Sequence, residues 1–344
     1  MLAHEHICRA CGRDLAFDPE AGTMWSGEWN QQERFLAHTP DGQEPLSFKV
    51  CAHRDSVVAC NWLVAPSSQS SDQCQCIACR TTQLIPDQSL EHNRVRWHRL
   101  EQAKRHLFYS LVDMGLVKVR HAVLLQDLRF DFLEDRRSNP NVTLEHVLSG
   151  HCNGLITLNA AEADEGFLHT MKEQMGERYR TLLGHFRHEI GHYFWTKLFA
   201  QPKRLQAFRQ VFGDEREDYA RSLERYYNDG RQNHWRSRFI TPYACSHPHE
   251  DWAETWAHYM HIIDTLQTAQ SFAVSVYDPQ QHDFEHWFAE WARVAQTMNA
   301  LNRSMGVAEP YPFKLSEIVV GKLRFIDEVV KEFVQELDAG HLDS

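Results

Sequence analysis

Seven of the nine cysteines in this 344-residue chain lie between Cys8 and Cys79. Cysteine crowded into one end implies that this end meets a structural need that the remainder does not share. Thiols pair as disulfides in oxidising compartments and stay free to bind metal in reducing ones. The start, Met1 to Ala10, is polar and His-rich with no apolar signal core, and no window approaches the roughly 20 uncharged apolar residues that span a bilayer. A cytoplasmic chain that makes no use of membranes is therefore expected, with its thiols available as ligands. Two parts follow: a cysteine-rich domain over 1–85 and a larger domain over 86–344.

Within the first part, turn formers such as Asp41-Gly42, Pro45 and Pro66-Ser67-Ser68 predict short strands and loops, with Ser67 to Ser71 a polar loop. Cys8-Arg-Ala-Cys11 and Cys76-Ile-Ala-Cys79 are C-x2-C knuckles, a spacing that offers two thiolates from one turn to a tetrahedral zinc ion. Cys8, Cys11, Cys76 and Cys79 are the preferred quartet for one structural zinc. Cys51 and Cys60 stand between the knuckles as an alternative pair, Cys74 is a further alternative, and the isolated Cys152 and Cys245 read as small buried side chains. The formal net charge is −11, and the first 80 residues carry six Lys/Arg against ten Asp/Glu. Such a surface repels phosphates, so nucleic acid is not an expected partner.

From Leu90 to Met114 apolar residues recur at helical spacing, with Arg94, Arg96, Arg99, Lys104 and Arg105 between them as an expected solvated face. This stretch reads as a helix linking the two domains. Gly154 to Asn159 is a candidate strand, placed at a sheet edge where an extended peptide docks. Amphipathic stretches follow over 167–200, 202–212, 214–227, 248–268, 284–299 and 315–337. The fold class is α+β, a small β domain followed by a mainly helical domain with a small sheet.

His188-Glu189-Ile-Gly-His192 is the one H-E-x-x-H in the chain. Helical spacing sets both imidazoles on one face to share an ion, with Glu189 beside them to take a proton from water. This composition yields such a match about 0.1 times by chance, so a third ligand must support it. Ser246 and Pro248 mark a second helix start, and there Glu250 follows His192 by 58 residues. Trp252, Trp256, Tyr259 and Ile263 form one stripe of this helix, and Glu250, Glu254, His258 and His261 another. Asp251 competes with Glu250 as ligand but points roughly 100° away. His185, His247, His249, His258 and His261 are expected to be structural or solvent-facing. Gly184 and Gly191 each cost about 1 kcal/mol in a helix, which close helix packing would explain.

Four strings, Cys60-Asn-Trp-Leu-Val64, the run from Leu182 to Trp195, Phe212-Gly-Asp-Glu-Arg216 and the run from His247 to Tyr259, resemble a family of bacterial zinc-binding metallopeptidases. The resemblance spans nearly the whole chain. It implies a zinc-ribbon-like segment followed by a gluzincin-like (zincin) domain, with one catalytic and one structural zinc and a peptide or protein as substrate. Glu250-Asp-Trp-Ala-Glu254 is more distantly similar to the glutamate helix of anthrax lethal factor and of MtfA-type peptidases. That likeness implies that Glu250 binds zinc with His188 and His192, that Tyr243 stabilises the oxyanion, and that Glu254 orients a ligand histidine. The competing expectation is an inactive zinc-binding adaptor that recognises a protein partner; oligomeric state is not legible.

Overall fold

The computed structural model describes residues 5–30, 34–39, 44–64, 75–117, 125–168, 170, 181–229, 234–276, 278–279, 281–311 and 313–340. Cys74 and the loop from Ser67 to Ser71 lie outside the described residues. The chain forms two compact units, Met1–Phe186 and Arg187–Ser344.

In the first unit, β1 (Asp14–Asp18), β2 (Thr23–Trp29), β3 (Phe35–Ala37), β4 (Leu46–Val50) and β5 (Leu63–Val64) pair in sequence order as an antiparallel meander. Alternation does the work: Ala16, Phe35, Ala37 and Leu63 share a buried face, with Trp25, Trp29, Phe48 and Val50 against it. A second sheet has the order β6 (Thr82–Leu84), β7 (Arg129–Leu133), β9 (Leu155–Asn159), β8 (Gly150–Cys152). Its first two pairings are parallel, and β8 runs antiparallel to β9. The expected edge strand is therefore interior. Asn153 and Gly154 both take positive φ, 49° and 86°, the requirement of a tight two-residue hairpin turn, and this folds β8 back over β9.

Helix α1 (Glu91–Asp113) lies where apolar periodicity put it. Its basic residues do not all form a solvated face. Arg94 and Arg99 are exposed, but Arg96, Lys104 and Arg105 are buried. Arg96 pairs with Asp164 at 2.7 Å, and Lys104 pairs with Glu101 at 3.0 Å and hydrogen-bonds Thr82. Arg105 donates to the Val58 carbonyl at 3.1 Å. Elements of the unit cover α1 on several sides, and each buried cation has an acceptor, without which burial would cost several kcal/mol.

The second unit is helical: α2 (Leu182–Leu198), entering from the first unit, then α3 (Pro202–Phe212), α4 (Tyr219–Asp229), α5 (Pro248–Ser271), α6 (Phe284–Ser304) and α7 (Glu317–Asp338). Caps set the boundaries. Asp283 accepts from the His286 amide and Ser316 from the Val319 amide, starting α6 and α7. The amphipathic stretch from residue 214 begins its helix late, because Asp214 folds back to accept from the Arg216 amide at 3.0 Å and Asp218 then caps α4 through the Arg221 amide at 3.1 Å. Of the long stretch from residue 167, residues 167, 168 and 170 are helical, residues 169 and 171–180 lie outside the description, and α2 begins at Leu182. The stripe of Trp252, Trp256, Tyr259 and Ile263 on α5 is buried as its spacing predicts. Tyr259 donates to Asp327 of α7 at 2.9 Å, and Lys322 of α7 meets Asp251 at 2.5 Å. Among the described residues no helix is long and apolar enough to cross a membrane.

Candidate metal centres

One turn of α2 separates His188 from His192, and their Nε2 atoms stand 3.1 Å apart. Glu250, in the first turn of α5 and 1 % exposed, completes the group: its Oε2 lies 3.1 Å from His188 Nε2 and its Oε1 3.6 Å from His192 Nε2. A tetrahedral zinc ion with bonds near 2.0–2.1 Å sets neighbouring N and O ligands about 3.3 Å apart. The three donors therefore fit such an ion in spacing and in chemistry.

Around these donors the polar contacts are directional. Glu254, one turn after Glu250, bonds His188 Nδ1 at 2.6 Å, which commits that nitrogen's proton and turns Nε2 toward Glu250. Burial works to raise the Glu254 carboxyl, but hydrogen bonds from His188 and Thr241 prevail and hold it low. Burial likewise opposes charge on His188, and the carboxylates of Glu250 and Glu254 beside it overcome this and push it well up. Glu250 is held well below the usual carboxylate range against its burial by His192 and His188. Such a proton-sharing cluster is what a cation-binding site looks like electrostatically. Asp251, the competing ligand, points instead to Lys322, with burial pushing it up to about 7.

Glu189 is 4 % exposed beside the pair. Tyr243 sits in a short turn, Tyr243–Cys245, ahead of α5, its ring 6.1 Å from that of His188. Tyr219, which sequence reasoning missed, opens α4 and donates to Glu250 Oε1 at 2.7 Å. Desolvation of the hydroxyl groups raises both phenols above their ordinary value, with Glu250 adding to the effect, although the Tyr219 side chain as a whole is exposed.

The other histidines are structural, as expected. His185 is buried against Glu162 at 2.5 Å. His249 packs edge-on to Trp195 at 4.4 Å, and burial lowers it to about 4. His258 bonds the Tyr311 hydroxyl at 3.0 Å and His261 accepts from Arg187.

The first unit assembles a different thiol quartet from the preferred one. Cys51, Cys60, Cys76 and Cys79 converge, all buried, with Cys60 Sγ and Cys76 Sγ 3.7 Å apart. Zinc–sulfur bonds near 2.3 Å imply about 3.8 Å between neighbouring sulfurs. The amides of Cys76 and Cys79 approach Cys51 and Cys76 sulfurs at 3.4 Å. Burial pushes Cys60 and Cys76 up, while hydrogen bonds from those partners hold Cys51 low, so the four sulfurs share protons that a cation would displace. Cys8 and Cys11 are not part of this group. They flank a separate turn closed by the Gly12 amide on the Cys8 carbonyl at 2.8 Å, with Cys11 exposed. Cys51 and Cys60 take their place because they border β4 and β5, which pair antiparallel. Cys152 is exposed rather than buried, and Cys245 donates to the Pro242 carbonyl at 2.9 Å.

Comparison with known proteins places two family models on this chain. The one described as "Putative zinc-binding metallo-peptidase" matches residues 93–329 and a zinc-ribbon domain matches residues 2–90. Uncharacterized proteins of Mycobacterium bovis and Mycobacterium tuberculosis are 35% identical over 343 residues, covering 97% of this chain and 97% of theirs. No solved structure matches.

Proposed function

Because the chain belongs to the family of zinc-binding metallopeptidases, we propose that it hydrolyses peptide bonds at a zinc ion held by His188, His192 and Glu250. The observation that carries this reading is the approach of three donor atoms from α2 and α5 to tetrahedral spacing. Zinc bound there would polarise the scissile carbonyl and acidify a water molecule. Glu189 takes the proton from that water and passes it to the leaving amine. Tyr243 donates to the carbonyl oxygen as negative charge develops on it. Glu254 keeps the His188 ring oriented.

A second, structural zinc is assigned to Cys51, Cys60, Cys76 and Cys79, where it would supply cohesion to a small domain over 1–85. The matches to residues 2–90 and 93–329 support division near that boundary from a peptidase domain over 86–344. The substrate is a peptide or protein. The net charge of −11 supports the exclusion of nucleic acid as partner, and the convergence of Cys51, Cys60, Cys76 and Cys79 as a thiol quartet supports a reducing, cytoplasmic setting.

The test is digestion of an unbiased peptide library followed by mass spectrometry, comparing the protein with Glu189→Gln. Cleavage by the parent and a loss of at least about 100-fold in the variant, with its zinc content unchanged, is the expected result. A zinc-loaded parent that cleaves nothing in the library or in denatured protein would favour the adaptor.

A further inference from the structure

Tyr219 is held in place by contacts between the starts of two helices. Asp218 caps α4 through the Arg221 amide, and His247 caps α5 by accepting from the His249 amide through Nδ1 at 3.1 Å. With Nδ1 accepting, the His247 proton resides on Nε2, which donates to the Glu217 carbonyl at 3.1 Å. This bond ties the segment entering α4 to the first turn of α5. The His247 ring then stands edge-on to Tyr219, at 5.1 Å between centroids and 75° between planes.

The bracket brings the Tyr219 hydroxyl to Glu250 Oε1 at 2.7 Å. A hydroxyl has one proton, and Tyr219 gives it to Glu250. The effect on the carboxylate is asymmetric. Oε1 is engaged by a phenol, whereas Oε2 is buried, accepts no aligned hydrogen bond among the described residues and faces His188 Nε2 at 3.1 Å.

We propose that Tyr219 is a positioning residue that fixes Glu250 to offer one oxygen, Oε2, to zinc, and thereby sets the affinity and coordination number of the site. This rests on the reading of His188, His192 and Glu250 as ligands. The partners of ligating carboxylates typically contribute 10- to 100-fold in affinity, and Tyr219 supplies such a partner from a helix with no ligand of its own.

The experiment compares the full-length parent with Tyr219→Phe, Tyr243→Phe and the double variant His188→Ala/His192→Ala. Zinc is titrated against a chromophoric chelator, and cobalt(II) spectra are recorded after substitution at the same site. Tyr219→Phe is expected to weaken zinc binding by about 10- to 100-fold and to dim the visible cobalt bands as the freed carboxylate turns to two-oxygen binding. Tyr243→Phe, which leaves the bond from Tyr219 to Glu250 intact, is expected to move either readout far less. Asp218→Ala, which loosens the start of α4 without altering the site, should weaken zinc binding in the same direction and serves if the phenylalanine variant folds poorly. Retention of parental affinity and cobalt spectrum by Tyr219→Phe, while the double histidine variant loses the ion, would overturn the proposal and leave the catalytic reading standing. Retention of the ion by the double histidine variant would instead overturn the reading on which it rests.

Discussion

Gly191 of α2 and Trp256 of α5 meet where a methyl group has no room: a Cβ on Gly191 would stand 2.9 Å from Trp256 Cδ1 and 3.3 Å from the Ala253 Cα. Trp252 uses the same closeness to donate its indole N–H to the Gly191 carbonyl at 2.9 Å. Alanine improves helix propensity by about 1 kcal/mol, but forcing two helices apart costs about 1–3 kcal/mol. Gly191→Ala is therefore expected to lower stability on balance, read by urea denaturation. It should also weaken zinc binding, since α2 and α5 carry the converging donors.

Replacing Cys60 by serine removes one sulfur from a quartet whose other members are buried. Elemental analysis is expected to show one zinc fewer per chain and an earlier melting transition. Cys8→Ser and Cys11→Ser should leave the zinc content at the parental value, because those thiols lie outside the quartet. The reverse result would return the preferred sequence pairing.

Glu254→Gln keeps the size of the side chain and removes its charge. With the 2.6 Å contact to His188 Nδ1 weakened, zinc affinity is expected to fall about 10- to 100-fold. Activity at saturating zinc should fall less than in Glu189→Gln, and a zinc titration alongside kcat/KM separates the two effects.

Burial lowers His258 to about 4, and Glu254, the charged group that opposes this, does not reverse it. Between the ordinary histidine value near 6.5 and about 4, the unfolded chain binds a proton that the folded chain refuses. The stability contributed by keeping His258 neutral is thus complete above pH 6.5 and is lost as pH falls, by about 3 kcal/mol on reaching pH 4. His258→Gln, which retains a partner for Tyr311, should flatten the pH dependence of unfolding free energy by about one proton across this window.

Local signals were the legible ones. His188 and His192 announce themselves by a spacing that one helix converts into proximity, and α3 coincides with its predicted span because Pro202 opens it and Gly213 follows it. Glu250 stood out through the helix start ahead of it and the tryptophans beside it. The cysteine quartet was not legible in the same way, since the approach of Cys51 to Cys60 depends on β4 pairing with β5 and no spacing rule reports that. Burial of Lys104 was hidden for a related reason: its acceptors include Thr82, on another element. Tyr219 sits in an amphipathic helix where an aromatic residue reads as packing, and only the fold reveals what its hydroxyl reaches.

Two of the converging donors lie four residues apart on α2, and the third arrives 58 residues later on α5. At ribosomal rates of roughly 5–20 residues per second, a growing chain spends about 3–12 s with the histidine pair made and its carboxylate not yet synthesised. Completion of the cradle then waits on the docking of α5 across Gly191. Zinc binding by these three donors would in this way be a late property of the finished tertiary structure, so that a copy in which α5 has not docked lacks the complete donor set.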